Sequence, residues 1–517
     1  LLYMKKNSTH SSIKCKIHNL ESIKKISEKY KKKKKKIILC HGTFDLLHAG
    51  HYRHFQEAKD FGDLLIVSIT ADKFINKGPG RPVFNELLRA EMIASLSYVD
   101  FVIIINEASA ISAIESVKPN IYVKGDDYRD KSKDLTNKII LEESKVKENG
   151  GFLKYTSDIT FSSSSLINKN FPVFDQSLKD FLSLYKKEGI EYFISLTDKL
   201  KDKKVLVVGE SIIDEYIYTE TLGKSAKESI LATLKKSNQV FAGGAVAAAN
   251  HISEFCKKIF LVTGIGDKNT EDRNFIKNSL AKNVTLCDTK LKNIPTTKKT
   301  RFIDNSYLRK MFEVYDMDDT PLTNKTESKV IDEIKNCISD VDIIIIADFG
   351  HGFLTQKIIN FLVDSGVYIG INAQTNSANR GFNLITKYKK ANYICIDEPE
   401  FRLAVHDKNT AINSILKNKK NLPKSNLFAV TTGKGGCHIK SGEKIIKIPA
   451  FTNNVVDTLG AGDAFFVVST LYSYLNINPL DIGFIGNVAG ALKVNILGHS
   501  SHIKKNQLLK FIESVIK

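Results

Sequence analysis

The sequence predicts an α/β protein with two doubly wound parallel-sheet domains. Three observations lead there. At 517 residues the chain is long enough for more than one hydrophobic core. Short apolar runs alternate with stretches of helical periodicity, first over 37–170 and again from Lys203, which implies parallel sheets with crossover helices. In each series the glycine-containing turns follow a strand and open a helix, and such sheets bind ligands at the C-terminal strand ends.

Composition narrows the classes further. A hydrophobic fraction of 42% with dispersed Gly and Pro reads as globular and soluble. No apolar run approaches membrane-spanning length, and the N-terminus lacks the apolar core of a signal peptide. Seven scattered cysteines without a C-x-x-C pair fit a reducing cytoplasm and argue against a zinc site. The net charge of +19 comes from 76 basic and 57 acidic residues. The lysines are spread along the chain and no nucleic-acid motif accompanies them, so phosphorylated substrates are the expected anionic partners and neither nucleic acid nor membrane is.

Residues 1–36 form a basic lead with a short helix expected at Glu21–Tyr30. In the first domain, 37–170, the expected strands are Ile37–Cys40, Leu64–Ile69, Phe101–Ile105, Ile121–Val123 and Phe152–Tyr155. The expected helices are Gly50–Phe61, Asn85–Leu96, Ser109–Val117 and Leu135–Glu148. Just after the first strand comes G-T-F-D-L-L-H-A-G-H. His48 and His51, three apart at a helix start, face the same way, and Gly50 lets a phosphate approach the backbone. Two imidazoles beside helix N–H groups suit a triphosphate under attack at its α-phosphorus.

This stretch resembles the HxGH signature of the cytidylyltransferase-like nucleotidyltransferases. The resemblance continues through Gly62–Val67, Arg81-Pro82-Val83 with Arg89, Tyr98-Val99-Asp100, Val123–Tyr128 and the serine run Ser162–Ser165. It implies that His48, His51 and Lys124 contact the triphosphate and that Ser163 or Ser164 binds phosphate. Thr43 and Phe44 supply backbone contacts, and Arg89 joins the nucleotide-binding set. The nucleotide is ATP or CTP.

Residues 171–200 read as a helical linker, and the second domain as 201–517. Asp214 stands near the first strand end, Gly243-Gly244 open a small-residue helix, and Gly264-Ile265-Gly266-Asp267 follow a strand. The most specific stretch is D-T-L-G-A-G-D, residues 457–463. Gly460, Ala461 and Gly462 present free N–H groups to an anion, and Asp463 in the first helical turn can take a proton from a hydroxyl, as phosphoryl transfer requires.

Together these motifs resemble the ribokinase-like, or PfkB, sugar kinases. The set is completed by Lys299 and Arg301 in T-K-K-T-R, Ile343–Asp348 with Phe349–Gly352, Asp397–Glu400, and Val430–Gly436. The resemblance makes Asp463 the base and the Gly-Ala-Gly turn the anion hole. Asp214, Gly243, Gly244, Lys299 and Arg301 become acceptor contacts, and Thr432, Gly433 and Gly436 nucleotide contacts. Glu400 and Asp397 would organise Mg²⁺ through water. Two departures stand out: Asp397 replaces the asparagine of N-x-x-E, and the strand ending at Asn372-Ala373-Gln374 lacks the D-P-K lysine of heptose kinases.

The pair of domains resembles the bifunctional heptose-7-phosphate kinase/heptose-1-phosphate adenylyltransferases of lipopolysaccharide precursor synthesis, with the domain order reversed. The resemblance implies two activities: ATP-dependent phosphorylation of a sugar phosphate and nucleotidyl transfer to a sugar 1-phosphate. A homodimer through a lid within Glu215–Val240 is a further expectation. The alternative is a glycerol-phosphate-like cytidylyltransferase fused to a kinase-like binding or regulatory module.

Overall fold

The computed structural model describes residues 13–75, 78, 81–130, 134, 138–157, 166–168, 176–185, 188–306, 309–418, 421–451 and 455–517. It divides into unit 1, Leu1–Lys187 with Leu509–Lys517, and unit 2, Glu188–Leu508.

Unit 1 is built on six parallel strands: β1 (Ile17–His18), β2 (Ile37–Gly42), β3 (Leu64–Thr70), β4 (Phe101–Ile105), β5 (Ile121–Gly125) and β6 (Phe152–Thr156). Their order is β1-β4-β3-β2-β5-β6. The central strands are mostly apolar, Ile37–Cys40 and Leu64–Val67 above all, as strands covered on both faces are. Alternate residues go to opposite sides. Ile38 and Cys40 pack with Phe55 and Ala90, while Ile37 and Leu39 pack with Ile23 and Ile114. The chain leaves β2 toward β3 on one side and returns beside it as β5, so the topological switch point lies between β2 and β5. The basic lead contributes more than a short helix: β1 pairs with β4, and the helix Leu20–Lys32 starts on an Asn19 cap whose side chain accepts from Ser22 N at 2.9 Å. The C-terminal segment 509–517 belongs to this unit. Asn168 donates to the Ser514 carbonyl at 2.8 Å, and Lys510 lies 3.9 Å from Asp134.

Unit 2 has a nine-stranded sheet whose first seven members in space are parallel: β7 (Lys204–Gly209), β10 (Lys258–Gly266), β11 (Val284–Leu291), β14 (Ile343–Asp348), β15 (Tyr368–Ala373), β16 (Lys390–Asp397) and β17 (Lys424–Thr431). The antiparallel pair β18 (Cys437–Ser441) and β19 (Lys444–Ile448) completes the order β11-β10-β7-β14-β15-β16-β17-β18-β19. Its switch point lies between β7 and β14. The helix Ala461–Tyr474 approaches the sheet closely where Gly370 leaves room: a Cβ there would sit 2.4 Å from Thr470 Cγ2.

A second sheet of unit 2, ordered β13-β12-β8-β9, contains β8 (Ser211–Lys224), β9 (Leu231–Gly244), β12 (Lys298–Asp304) and β13 (Arg309–Asp316). Its register sorts the residues by face. Asp214, Tyr216, Lys299 and Arg301 turn inward and are buried, whereas Val240, Phe312 and Val314 are exposed. Among the described residues no helix is long and apolar enough to cross a membrane.

Candidate active sites

In unit 1, the chain leaves β2 through a tight turn. Phe44 takes a left-handed backbone (φ +46°) and its ring lies over Gly42, where a Cβ would stand 2.9 Å from the ring. His48 has an extended backbone and occupies the position before the helix Ala49–Asp60 without a capping bond from its side chain, which places Gly50 in the helix's first turn. The His48 and His51 rings stack with centroids 3.8 Å apart, and Phe44 sets its ring against His51 at 5.2 Å. Burial holds the His48 imidazole below its ordinary pKa. The motif histidines therefore share one wall with Phe44 at the end of β2.

Lys124 occupies the end of β5, the neighbouring parallel strand, so it belongs to the same sheet edge. It is buried, 3.1 Å from Glu142, with the Tyr128 ring centroid 4.9 Å away. Glu142 also accepts from Tyr122 Oη and Ala110 N, both at 2.9 Å. Burial alone would raise the Glu142 carboxyl, but Lys124 and these donors bring it below the usual range. Arg89 is used differently from a ligand-facing cation. It is fully buried, and its guanidinium donates to the carbonyls of Thr43 (2.5 Å), Phe84 (3.0 Å) and Thr70 (2.8 Å) and to Asp72 (2.6 Å). It thus fixes the backbone of Thr43 within the turn. Ser163 and Ser164 lie outside the described residues.

In unit 2, the D-T-L-G-A-G-D turn passes through Gly460 in the left-handed region (φ +73°), and the helix begins at Ala461. The first N–H groups of this helix have no intrahelical acceptor. Asp463 sits in the first turn, and the Gln374 side-chain amide donates to its carboxylate. Burial, helped by the charge of Asp214, pushes the Asp463 carboxyl up to about 6 against the opposing pull of Gln374, Lys493 and Lys299.

Asp214 pairs with Arg301 at 2.5 Å and lies against Gly243, where a Cβ would meet Asp214 Oδ2 at 2.1 Å. His499 stands 3.8 Å from Asp214, and a Cβ on Gly460 would meet the same imidazole at 2.6 Å. One ring therefore spans the gap between Asp214 and the Gly460–Gly462 turn. Gly244 (φ +60°) makes the sharp entry into the helix Ala245–Ile252. Lys299 stands beside Asp214 in register, buried, with the Tyr315 ring centroid 5.1 Å away. The Val430–Gly436 segment closes its own turn at the end of β17. Thr432 N donates to the Gly436 carbonyl at 2.8 Å, and Gly433 (φ +56°) and Gly436 (φ +86°) need their glycine freedom.

Asp397 and Glu400 form a capping box at the start of the helix Glu398–Val405. Asp397 accepts from Glu400 N at 2.8 Å, and Glu400 accepts from Asp397 N and Thr375 N, each at 3.0 Å. Burial raises both carboxyls, and the charges of Asp397 and Asp463 push Glu400 further up. Among the described residues no group of three or more His, Cys, Asp or Glu is arranged to hold a metal directly.

Sequence reasoning missed several residues of this corner. Gln374 registered only as a departure, although it touches Asp463. Asp457 opens the motif yet is occupied with structure: it accepts from Lys310 and Tyr216 Oη at 2.7 Å, from Gly498 N at 2.9 Å and from Leu459 N at 3.1 Å. Burial opposes its ionisation, but Lys310 and the other donors hold it down at about 2. Lys493 is fully buried at the end of the helix Pro479–Lys493. A lysine closing so apolar a run was the available signal.

Comparison with known proteins places names beside this geometry. The family model of pfkB family carbohydrate kinases matches residues 202–505, and that of cytidylyltransferase-like proteins matches 39–170. The bifunctional protein HldE of Geobacter metallireducens is 40% identical over 121 residues, covering 23% of this chain and 25% of that protein. The bifunctional protein HldE of Aliarcobacter butzleri is 37% identical over 148 residues, covering 28% and 31%. These matches fall in the cytidylyltransferase-like region, so the chain spans only 25% to 31% of the length of these curated relatives. Among solved structures, phosphofructokinase-2 from Escherichia coli in complex with substrates and products is 13% identical with a TM-score of 0.48, covering 60% of this chain and 98% of that one.

Proposed function

The chain belongs to the pfkB family of carbohydrate kinases, and on that footing we propose that it is a bifunctional enzyme of nucleotide-sugar precursor synthesis. Unit 2 phosphorylates a sugar phosphate with ATP. Unit 1 transfers a nucleotidyl group from a nucleoside triphosphate to a sugar 1-phosphate and releases pyrophosphate. The observation that carries the kinase reading is Asp463. Its carboxylate sits in the first turn of a helix whose opening N–H groups have no intrahelical acceptor, Ala461 N donating back to the Thr458 carbonyl at 3.3 Å; it is oriented by Gln374 and pushed up to about 6. It takes the proton of the acceptor hydroxyl as that oxygen attacks the γ-phosphorus, while the Gly460–Gly462 N–H groups hold the phosphoryl oxygens. Asp214, paired with Arg301, orients acceptor hydroxyls, and buried Lys299 supplies charge for a phosphate already on the sugar.

The residues present fit a hydrated Mg²⁺. Asp397 and Glu400 share one capping box, Asp463 acts on Glu400 through its charge, and burial raises all three carboxyls. Glu400 and Asp397 would hold it through water, and it would neutralise phosphate charge. In unit 1, His48 and His51 with the helix start receive the triphosphate, and Lys124 neutralises charge at the same sheet edge. An oxygen of the sugar phosphate attacks the α-phosphorus, and the α–β bridge breaks. We take ATP as the nucleotide and heptose as the sugar, on the resemblance stated above, and the cytoplasm as the compartment. CTP with glycerol phosphate is the competing pair.

A second reading treats unit 2 as a binding module. Its motivation is Gln374, which replaces the lysine of D-P-K and holds Asp463 itself. The test is direct. Purified chain with ATP, Mg²⁺ and a panel of sugar phosphates is expected to release ADP, and Asp463→Asn to slow this on the order of 10³-fold. Tight ATP binding without turnover of any sugar would favour the binding-module reading instead.

A further inference from the structure

We propose that Lys493 is a positioning residue of the kinase site: its ammonium, enclosed by backbone carbonyls, fixes the peptide that presents the phosphate-holding N–H groups. The inference rests on the kinase reading of unit 2. Lys493 is fully buried. Its Nζ donates to the carbonyls of Leu459 at 2.6 Å, Gly498 at 2.8 Å and Ile496 at 3.4 Å. These three acceptors come from two segments, one leading into the Gly460–Gly462 turn and one following the helix Pro479–Lys493.

The Leu459 carbonyl is the informative partner. It belongs to the same planar peptide as the Gly460 N–H, and in a trans peptide the two point in opposite directions. Drawing the Leu459 oxygen onto Lys493 therefore aims the Gly460 N–H away from the lysine. Gly460 lies directly on this support: a Cβ there would be 3.3 Å from Lys493 Cε and 2.6 Å from His499 Cε1. An ammonium bound to neutral carbonyls also keeps its field. Asp457 and Asp463 act on it electrostatically, but among the described residues it makes no ion pair. A fixed cation behind oriented N–H groups stabilises charge that develops on phosphoryl oxygens, and it needs no rearrangement when the charge appears.

The same two segments are tied independently through Asp457, which accepts from Leu459 N at 3.1 Å and Gly498 N at 2.9 Å. Removing the lysine therefore leaves one tie between the segments in place while freeing the Leu459 carbonyl.

The experiment compares the full chain with Lys493→Ala, and with Lys493→Met, which keeps the apolar stem and removes the charge. Calorimetry with ATP reports whether each variant is folded at the site. The expected result is a fall in kcat for ADP release on the order of 10²-fold. The acceptor KM should move by less than about threefold, and methylammonium should restore Lys493→Ala by about tenfold or more, because a small ammonium refills the carbonyl cage. Unchanged turnover in either variant overturns the assignment. So does a loss that methylammonium leaves untouched in a variant that binds ATP like the parent. Failure of both variants to fold assigns Lys493 to the framework alone and overturns it too. A parent chain that never releases ADP overturns the kinase reading and this role with it, whereas an active parent with unaffected variants overturns the role alone.

Discussion

Asp463 shows how far its surroundings shift one carboxylate. An ordinary aspartate is ionised at neutral pH but too weak a base to draw a proton far. Burial and the charge of Asp214 push this one up to about 6, and Gln374 holds one of its oxygens. The sign of the pH dependence follows. A general base works only when deprotonated, so kcat/KM for ADP release should be flat above the Asp463 pKa and fall about tenfold per unit below about 6. A profile still flat down to pH 4 would count against Asp463 as the base. The residue scale is also where the sequence was least legible. D-T-L-G-A-G-D pointed to Asp463, but nothing local announced that Gln374 would reach its carboxylate, or that Lys493 and His499 would pack against Gly460 of the same motif. Arg89 shows the converse. Its motif position suggested a nucleotide contact, and burial has spent its donors on Thr43, Phe84, Thr70 and Asp72.

Elements were easier to read, because strand and helix periodicity is local. The central strands of both parallel sheets stand out as apolar runs, and the helices between them as amphipathic ones. The second sheet of unit 2 was harder. Its strands mix polar and apolar residues on the outer face and bury Asp214, Lys299 and Arg301 on the inner one, so no continuous apolar run marks them. Asp457 links that sheet to the Gly460–Gly462 turn through Lys310 on β13 and Tyr216 on β8. Its carboxyl is held at about 2, below the value near 3.9 expected in an unfolded chain. A depressed carboxyl contributes stability that is fully present above about pH 4 and lost as pH falls toward 2. Asp457→Asn should therefore cost unit 2 about 2 kcal/mol at pH 7, and the difference should shrink toward zero near pH 2. Urea unfolding at a series of pH values checks it; an equal loss at every pH would mean the carboxylate's charge is not what matters.

At the scale of the whole molecule, the register of the second sheet gathers exposed Val240, Phe312 and Val314 on its outer face. Thr300 and Glu215 stand between Val314 and Val240 in register, so the apolar surface centres on Phe312 and Val314, and we propose that a second copy of the chain covers it. Phe312→Glu with Val314→Lys should convert a dimer to a monomer in sedimentation; a wild-type monomer at all concentrations would remove the proposal. The two α/β units were legible because their alternating strands and helices are local patterns, whereas Asp214, Lys299 and Arg301 lie inside strands of the second sheet that no apolar run marks. The grouping of 509–517 with unit 1 was not, since only tertiary packing joins segments so far apart in sequence. The central claim is that two separate transfer reactions reside in one chain. The most direct measurement follows ADP and pyrophosphate release in parallel from the full chain and from Asp463→Asn and His51→Ala, supplied with ATP, Mg²⁺ and the sugar phosphates of each step. Asp463→Asn should slow ADP release on the order of 10³-fold and leave pyrophosphate release intact, and His51→Ala should do the reverse. Loss of both activities in either variant, or of neither, would contradict it.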